Sequence, residues 1–359
     1  MKWKLIALLF VVTSVIISCR KDGKINLNLF STTAFQFNIP SGTLPTTTPK
    51  PIPLDNATTN EGVALGRMLF YDPILSGNGT QSCASCHLQS KAFTDAERYS
   101  RGIDGSIGNR NAMPLFNLMW NPTFFWDGRD SSLEQQALHP IENPIEMKAK
   151  LEDVITKLNN HPSYPDLFNK AFGSKVITKQ NLAKAIAQFE RTIISCNSRY
   201  DKIEASPFDK DTFTTKELRG KLIFEGNNPS TDGDCIHCHT AGTTFSDYGF
   251  KNNGLNEIPL DSGRYYVTKK LSDIGKFKTP SLRNIALTAP YMHDGRFNNL
   301  EEVMDHYNTG FHATSQYLDP VMQVQVQGRL TKTQRDDVIA FLNTLTDSTL
   351  ITNPAYSKP

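Results

Sequence analysis

Apolar residues along this chain recur at helical spacing. In the run Leu182-Ala-Lys-Ala-Ile-Ala-Gln-Phe-Glu-Arg-Thr-Ile-Ile they return every three or four positions, the period of a helix with one buried face. The pattern predicts a helix over residues 182–200, and shorter helices over 300–307 and 333–345. No stretch alternates apolar and polar positions convincingly enough to predict a strand. The connecting segments are rich in Gly, Pro and Asn, so the expected fold is mainly α.

Two segments near the start fall outside this pattern. Lys2 and Lys4 precede an apolar run over residues 5–17 that ends in Ile-Ser-Cys19. A helix needs about 20 apolar residues to span a bilayer, so the run is too short for that and reads as a signal peptide, residues 1–18. The cysteine at the cleavage point resembles a bacterial lipobox, which makes Cys19 a lipid anchor; an ordinary cleaved signal is the alternative. Residues 41–53 read SGTLPTTTPKPIP, an expected extended tether within residues 19–59.

The clearest organisation is an internal repeat. Gly66-Arg-Met-Leu-Phe70 precedes Cys83-Ala-Ser-Cys86-His87, and Gly220-Lys-Leu-Ile-Phe224 precedes Cys235-Ile-His-Cys238-His239. Six residues after each motif histidine comes an aromatic: Phe93-Thr94-Asp95 follows His87, and Phe245-Ser246-Asp247 follows His239. Cys-x-x-Cys-His is the attachment signature of a c-type haem, whose vinyl groups take the two thiols while the histidine reaches the iron. Paired cysteines at this spacing are also zinc half-sites. A zinc centre needs further cysteines, and only Cys19 and Cys196 remain. The repeat therefore predicts two tandem cytochrome c-type domains, residues 60–205 and 206–359, each with one covalent haem. Haem of this type is attached outside the inner membrane, so the chain is expected to be exported, on the periplasmic or cell-envelope side.

Composition changes little in this picture. A length of 359 residues suits two domains, and 38% hydrophobic with 21% charged residues is ordinary for a globular protein. A net charge of +2 gives no electrostatic case for nucleic acid. Cys196, left without a partner cysteine, reads as a packed thiol.

Longer blocks carry a family resemblance. The segments LGRMLFYDPILSGNGTQSCASCH, NPTFFWDGRDSSLEQQALHPIENPIEM and FKTPSLRNIALTAPYMHDGRFNNLEEVMDHY, together spanning residues 64–307, resemble the bacterial dihaem cytochrome c peroxidases and their MauG-like relatives. The FWDGR and NPIEM blocks are far more specific than the haem motifs. The resemblance implies an oxidoreductase in which an N-terminal haem on His87 meets peroxide and a C-terminal haem on His239 receives electrons from a donor. The donor would be a small redox protein or a membrane-linked complex, and many members are homodimers.

The same resemblance assigns further residues. Glu146 matches the distal acid–base carboxylate, although Glu142 is equally available on composition. Gln136 matches a second distal-pocket residue, and Trp126 a tryptophan between the haems. Calcium ligands match Asn111, by its side chain, and the carbonyls of Thr288 and Pro290. In well-known members a histidine caps the peroxide-binding iron; here the matching position is Ile103, and His139 belongs to a different loop. An open first iron is the expectation. At the second iron the matching position is Tyr307, with Met304 and His306 as neighbouring alternatives. Two other functions compete with hydrogen peroxide reduction: a MauG-like oxidase acting on a partner protein, and a dihaem electron carrier without turnover.

Overall fold

Four threonines start the four helices on which the fold is built. The computed structural model describes residues 30–40, 43–44, 52–206, 212–226, 233–241, 244–324 and 330–359. The signal segment, Cys19 and most of the Pro/Thr-rich stretch lie outside the described residues. Twelve α-helices are described: α1 Asn60–Tyr71, α2 Leu133–Gln136, α3 His139–Glu142, α4 Leu151–Asn159, α5 Tyr164–Phe172, α6 Lys179–Thr192, α7 Arg199–Ala205, α8 Thr215–Glu225, α9 Tyr265–Thr268, α10 Leu300–Asp305, α11 Pro320–Val324 and α12 Lys332–Asn343. Thr59, Thr178, Thr214 and Thr331 cap α1, α6, α8 and α12 through their side-chain oxygens, which satisfy backbone donors that have no partner within the helix. The strands β1 Phe250–Lys251 and β2 Phe277–Lys278 form one short antiparallel pair. No described helix is long and apolar enough to cross a membrane.

Within the unit Thr32–Pro359, α1 packs on α6 and α8 packs on α12 in the same way. The repeated glycines explain how. A Cβ at Gly66 would lie 1.9 Å from the Ala185 carbonyl oxygen, and one at Gly220 would lie 1.9 Å from that of Asp337. Only glycine lets these helices touch backbone to backbone. The phenylalanines repeat as well. Phe70 meets Phe189 at 5.3 Å and Phe93 at 6.2 Å between ring centres; Phe224 meets Phe341 at 5.3 Å and Phe245 at 6.2 Å. Each trio joins a helix pair to the loop that follows a haem motif.

Three expectations shift. The helix expected over 182–200 ends at Thr192 and resumes at Arg199. Between them the backbone N–H groups of Cys196 and Asn197 donate to the Asp347 carboxylate, and that of Ser195 donates to Asn117 Oδ1, so helical bonding is replaced by side-chain acceptors. The helix at 300–307 gives way after Asp305 to a wider π-type turn, His306–Gly310. Within the expected tether, Thr43 and Leu44 are buried: Leu44 packs with Met119, Trp120 and the Cys196 thiol, while the Thr43 carbonyl accepts from Arg283.

The C-terminal segment reaches back to the first haem motif. Arg67 on α1 donates to the Ser357 and Pro354 carbonyls, and Gln89, two residues after His87, donates to those of Leu350 and Asn353. Leu350 is buried among Phe70, Phe93 and Phe189.

Overpacking of a tight core site costs about 1–3 kcal/mol, so Gly66→Ala and Gly220→Ala should each lower the denaturant midpoint by at least that equivalent. Gly108→Ala, whose added Cβ would meet nothing closer than 3.4 Å, should change stability far less. Chemical denaturation of the holoproteins measures the contrast.

Candidate functional site

The two haem motifs fold alike. Cys83–Ser85 and Cys235–His237 are single 3₁₀ turns, and each motif histidine donates its backbone N–H to the carbonyl of its first cysteine, at 3.0 Å for His87 and 2.9 Å for His239. His87 Nδ1 lies 2.8 Å from the Phe93 carbonyl oxygen and His239 Nδ1 lies 3.0 Å from that of Phe245. A carbonyl only accepts, so Nδ1 carries the proton and Nε2 keeps its lone pair. Phe93 and Phe245 both adopt left-handed backbone, φ 62° and 54°, which costs a bulky residue on the order of 1–3 kcal/mol. Burial lowers both imidazole pKa values, which favours the neutral form that ligates metal.

Each motif opens on a cleft. The first, about 840 Å³, falls within the roughly 300–1,000 Å³ usual for cofactor pockets. Cys83, Cys86 and His87 form one wall, with Gln136, Glu146 and Glu190 elsewhere on its lining. The second, about 210 Å³, is bordered by Cys235, Cys238, His239, Met292, Met304 and Tyr307. It is tighter than that usual span. Two thiols and an imidazole Nε2 at each cleft fit a covalent haem. Among the described residues no group of three or more His, Cys, Asp or Glu is placed to hold a metal ion.

In the first cleft the structure separates the two candidate carboxylates. Glu142 is exposed, whereas Glu146 lines the cleft. Asn143 Nδ2 donates to Glu146 Oε1 at 2.6 Å, and the Glu146 backbone carbonyl accepts from Ile103 at 3.0 Å. Burial raises the Glu146 pKa above the ordinary carboxylate value, against the opposing pull of the Asn143 hydrogen bond, Arg129 and His139. Gln136 presents a buried Oε1 without a partner, an acceptor suited to a small hydroxylic ligand. Ile103 does not line the cleft. His139 does not either; its half-exposed ring pairs with Asp130 at 2.7 Å. Among the described residues, the histidines on the lining are His87 and His293, and the His293 ring stacks on Phe277 at 3.6 Å.

Five residues border both clefts: Asn111, Pro114, Trp126, Lys278 and His293. Trp126 is buried, and its Nε1 donates to the Asn111 carbonyl at 2.9 Å. Its own carbonyl accepts from the Lys278 backbone at 2.8 Å. Burial pushes the Lys278 amine down to about 7, and its Nζ donates to the Thr123 carbonyl. Arg110 bridges Asp127 and Asp261, both at 2.7 Å, and Arg264 donates to the Asp127 and Gly128 carbonyls, which ties this wall to sequence-distant segments. Asn111 uses Nδ2 on the Glu97 carbonyl; Thr288 and Pro290 line the second cleft beside it.

At the second cleft, burial pushes the Tyr307 phenol up to about 12, and Asn253 Nδ2 donates to its oxygen at 3.3 Å. Met304 is a buried member of the helical core that also borders the cleft. His306 lies off the lining, its Nε2 donating to the Asn253 carbonyl at 3.1 Å.

Sequence reasoning missed Glu190, Met292, Lys278 and Asn253. Glu190 is 3% exposed, Oε2 has no partner, and burial raises its pKa to about 8. Its place in a helical run gave no sign of this, because a polar residue there reads as solvent-facing.

Comparison with known proteins fits this geometry. The family model for di-haem cytochrome c peroxidase matches residues 60–206. Cytochrome-c peroxidase IdrP1 of Pseudomonas sp. (strain SCT) is 32% identical over 333 residues, 84% of this chain and 84% of that protein. Methylamine utilization protein MauG of Methylorubrum extorquens is 35% identical over 298 residues, 82% of this chain and 81% of that one. Among solved structures, a MauG-like protein associated with microbial copper homeostasis superposes with a TM-score of 0.81 at 34% identity, covering 91% of this chain and 99% of its own. The repeated haem motifs, the paired clefts and these relatives together make the chain a member of the di-haem cytochrome c peroxidase family, whose members bind two c-type haems.

Proposed function

We propose that this chain reduces hydrogen peroxide to water at the first cleft, with electrons that an external donor delivers through a haem held at Cys235, Cys238 and His239. Bound haem supplies an iron for peroxide at one cleft and a one-electron carrier at each. Peroxide plus two electrons and two protons gives two waters. Glu146 would accept a proton from one peroxide oxygen and return it to the other, which would depart as water. Asn143 fixes the carboxylate, and Gln136 Oε1 accepts a hydrogen bond from the bound peroxide. Trp126, in the wall common to both clefts, is the stepping stone between them. Asn111 Oδ1 and the Thr288 and Pro290 carbonyls would hold calcium, which favours such oxygen donors. Export and an anchor at Cys19 belong to the same reading.

The observation that supports it most is the pairing of a half-buried, partly desolvated Glu146 with an unpartnered Gln136 acceptor on the lining that also holds His87. A pure electron carrier has no use for either. A second reading, peroxide-driven oxidation of a side chain on a partner protein, is favoured by the relationship to MauG and by a tyrosine at position 307. Steady-state assays separate the two: peroxide-dependent oxidation of a reduced small cytochrome or cupredoxin supports the first. No turnover with such donors, together with oxidising equivalents that persist until a partner is added, supports the second.

Fully oxidised protein should react with peroxide without prior reduction, and Glu146→Gln should slow that reaction by about two to four powers of ten. Stopped-flow mixing reads both; an oxidised parent that stays inert until one electron is added contradicts the proposal.

The reaction should also slow as pH falls, because protonation removes the base. Since burial raises the Glu146 pKa, the midpoint should lie above the ordinary carboxylate value. A pH profile of the peroxide reaction without such a limb, or an unchanged limb in Glu146→Gln, counts against Glu146.

A further inference from the structure

Two potential iron donors of opposite chemical character share one hydrogen-bond donor in the second cleft. Asn253 Nδ2 lies 3.3 Å from Tyr307 Oη and 3.4 Å from Met292 Sδ, and both side chains line the cleft. Asn253 is itself fixed, because its backbone carbonyl accepts from His306 in the π-type turn that holds Tyr307. Met292 stands in left-handed backbone, φ 75°, a region that disfavours an unbranched apolar side chain and marks a constrained position. A tight turn holds it there: the Gly295 N–H donates to the Met292 carbonyl at 3.1 Å, and the Tyr291 N–H donates to that of Phe297 at 2.7 Å. The backbone is thus clamped while the flexible thioether faces the cleft. Met304 differs, being packed in the α8–α12 core with Phe341 and Leu300.

We propose that Met292 is a second iron ligand of the C-terminal haem, presented beside Tyr307 by Asn253, with Tyr307 Oη preferred by ferric iron and Met292 Sδ by ferrous iron. The proposal rests on the reading of Tyr307 as a ligand. Hard phenolate oxygen suits Fe(III), whereas soft thioether sulfur suits Fe(II). The Asn253 amide hydrogen favours the phenolate while it is bound. On reduction the iron gains one electron from the donor, the Tyr307–iron bond breaks, Tyr307 Oη takes a proton from solvent, and the Met292 sulfur bond forms. The position of Asn253 keeps the departing phenol within reach for the reverse exchange.

Optical and near-infrared magnetic circular dichroism spectra of the holoprotein in both oxidation states, with the midpoint potential of the second haem, test this. Met292→Leu conserves volume and should leave haem content and the ferric spectrum at parent values. In that variant the ferrous second haem should lose its six-coordinate low-spin spectrum, and its potential should fall. Tyr307→Phe should give the thioether charge-transfer band in the ferric state; adding Met292→Leu should abolish the band, and adding Met304→Leu should not. An unchanged ferrous spectrum and potential in Met292→Leu, or a band that depends on Met304, overturns the proposal. A Tyr307→Phe protein without the band but with water-ligated iron overturns Met292 alone and leaves Tyr307 as ligand. A Tyr307→Phe protein with the parent ferric spectrum removes Tyr307 as ligand, and the proposal with it.

Discussion

The hydrogen bond from each motif histidine to the carbonyl six residues later is the constraint from which the rest of this architecture follows. It fixes the Nδ1–H tautomer at His87 and His239, so that Nε2 keeps its lone pair. To supply that acceptor, Phe93 and Phe245 adopt left-handed backbone, and their rings are wedged into the phenylalanine trios of α1–α6 and α8–α12. The trios in turn require the close helix crossings that only Gly66 and Gly220 permit. Packing at the helix pairs, local strain in the loops and orientation of the ligands are one mechanical chain, built twice. At the first motif the C-terminal segment adds a further support, through Gln89 and the burial of Leu350 beside Phe93.

The wall between the clefts has a different logic. Trp126 is buried and hydrogen-bonded on both sides, by Nε1 to Asn111 and through its carbonyl to Lys278. Around it Arg110, Asp127, Asp261 and Arg264 knit segments that lie more than a hundred residues apart. Ion pairs of this kind are strongly destabilising to break one partner at a time, since the remaining charge stays buried. Asp127 is 4% exposed and also pairs with Arg129 at 3.2 Å, so removing Arg110 would leave Arg129 as the guanidinium partner of a buried carboxylate. The network therefore holds the indole at one position, which electron transfer through it would require.

How much of this the sequence could announce depends on the range of each interaction. The repeated Gly and Phe positions, the two haem motifs and the helical character of the chain are local signals with fixed spacing, and they survive in the fold. The end of α6 at Thr192 is not local. Asp347, about 150 residues later, takes the N–H groups that a longer helix would have used. Leu44 sits in a stretch whose composition signals exposure, yet Met119, Trp120 and Cys196 cover it. Glu142 and Glu146 are indistinguishable by composition; only the turn that sets Glu146 on the cleft lining and leaves Glu142 exposed separates them. Met292 was invisible for a similar reason, because its relation to Tyr307 exists through Asn253 alone.

The central claim is that the two irons differ: the first open on its distal side, the second closed by a protein ligand. Low-temperature EPR of the fully oxidised holoprotein tests it directly. The account predicts one high-spin ferric signal and one low-spin ferric signal in equal amounts. Two low-spin signals without a high-spin component would contradict it, and would place a protein ligand, with His293 the histidine on the lining to examine first, on the iron bound by His87.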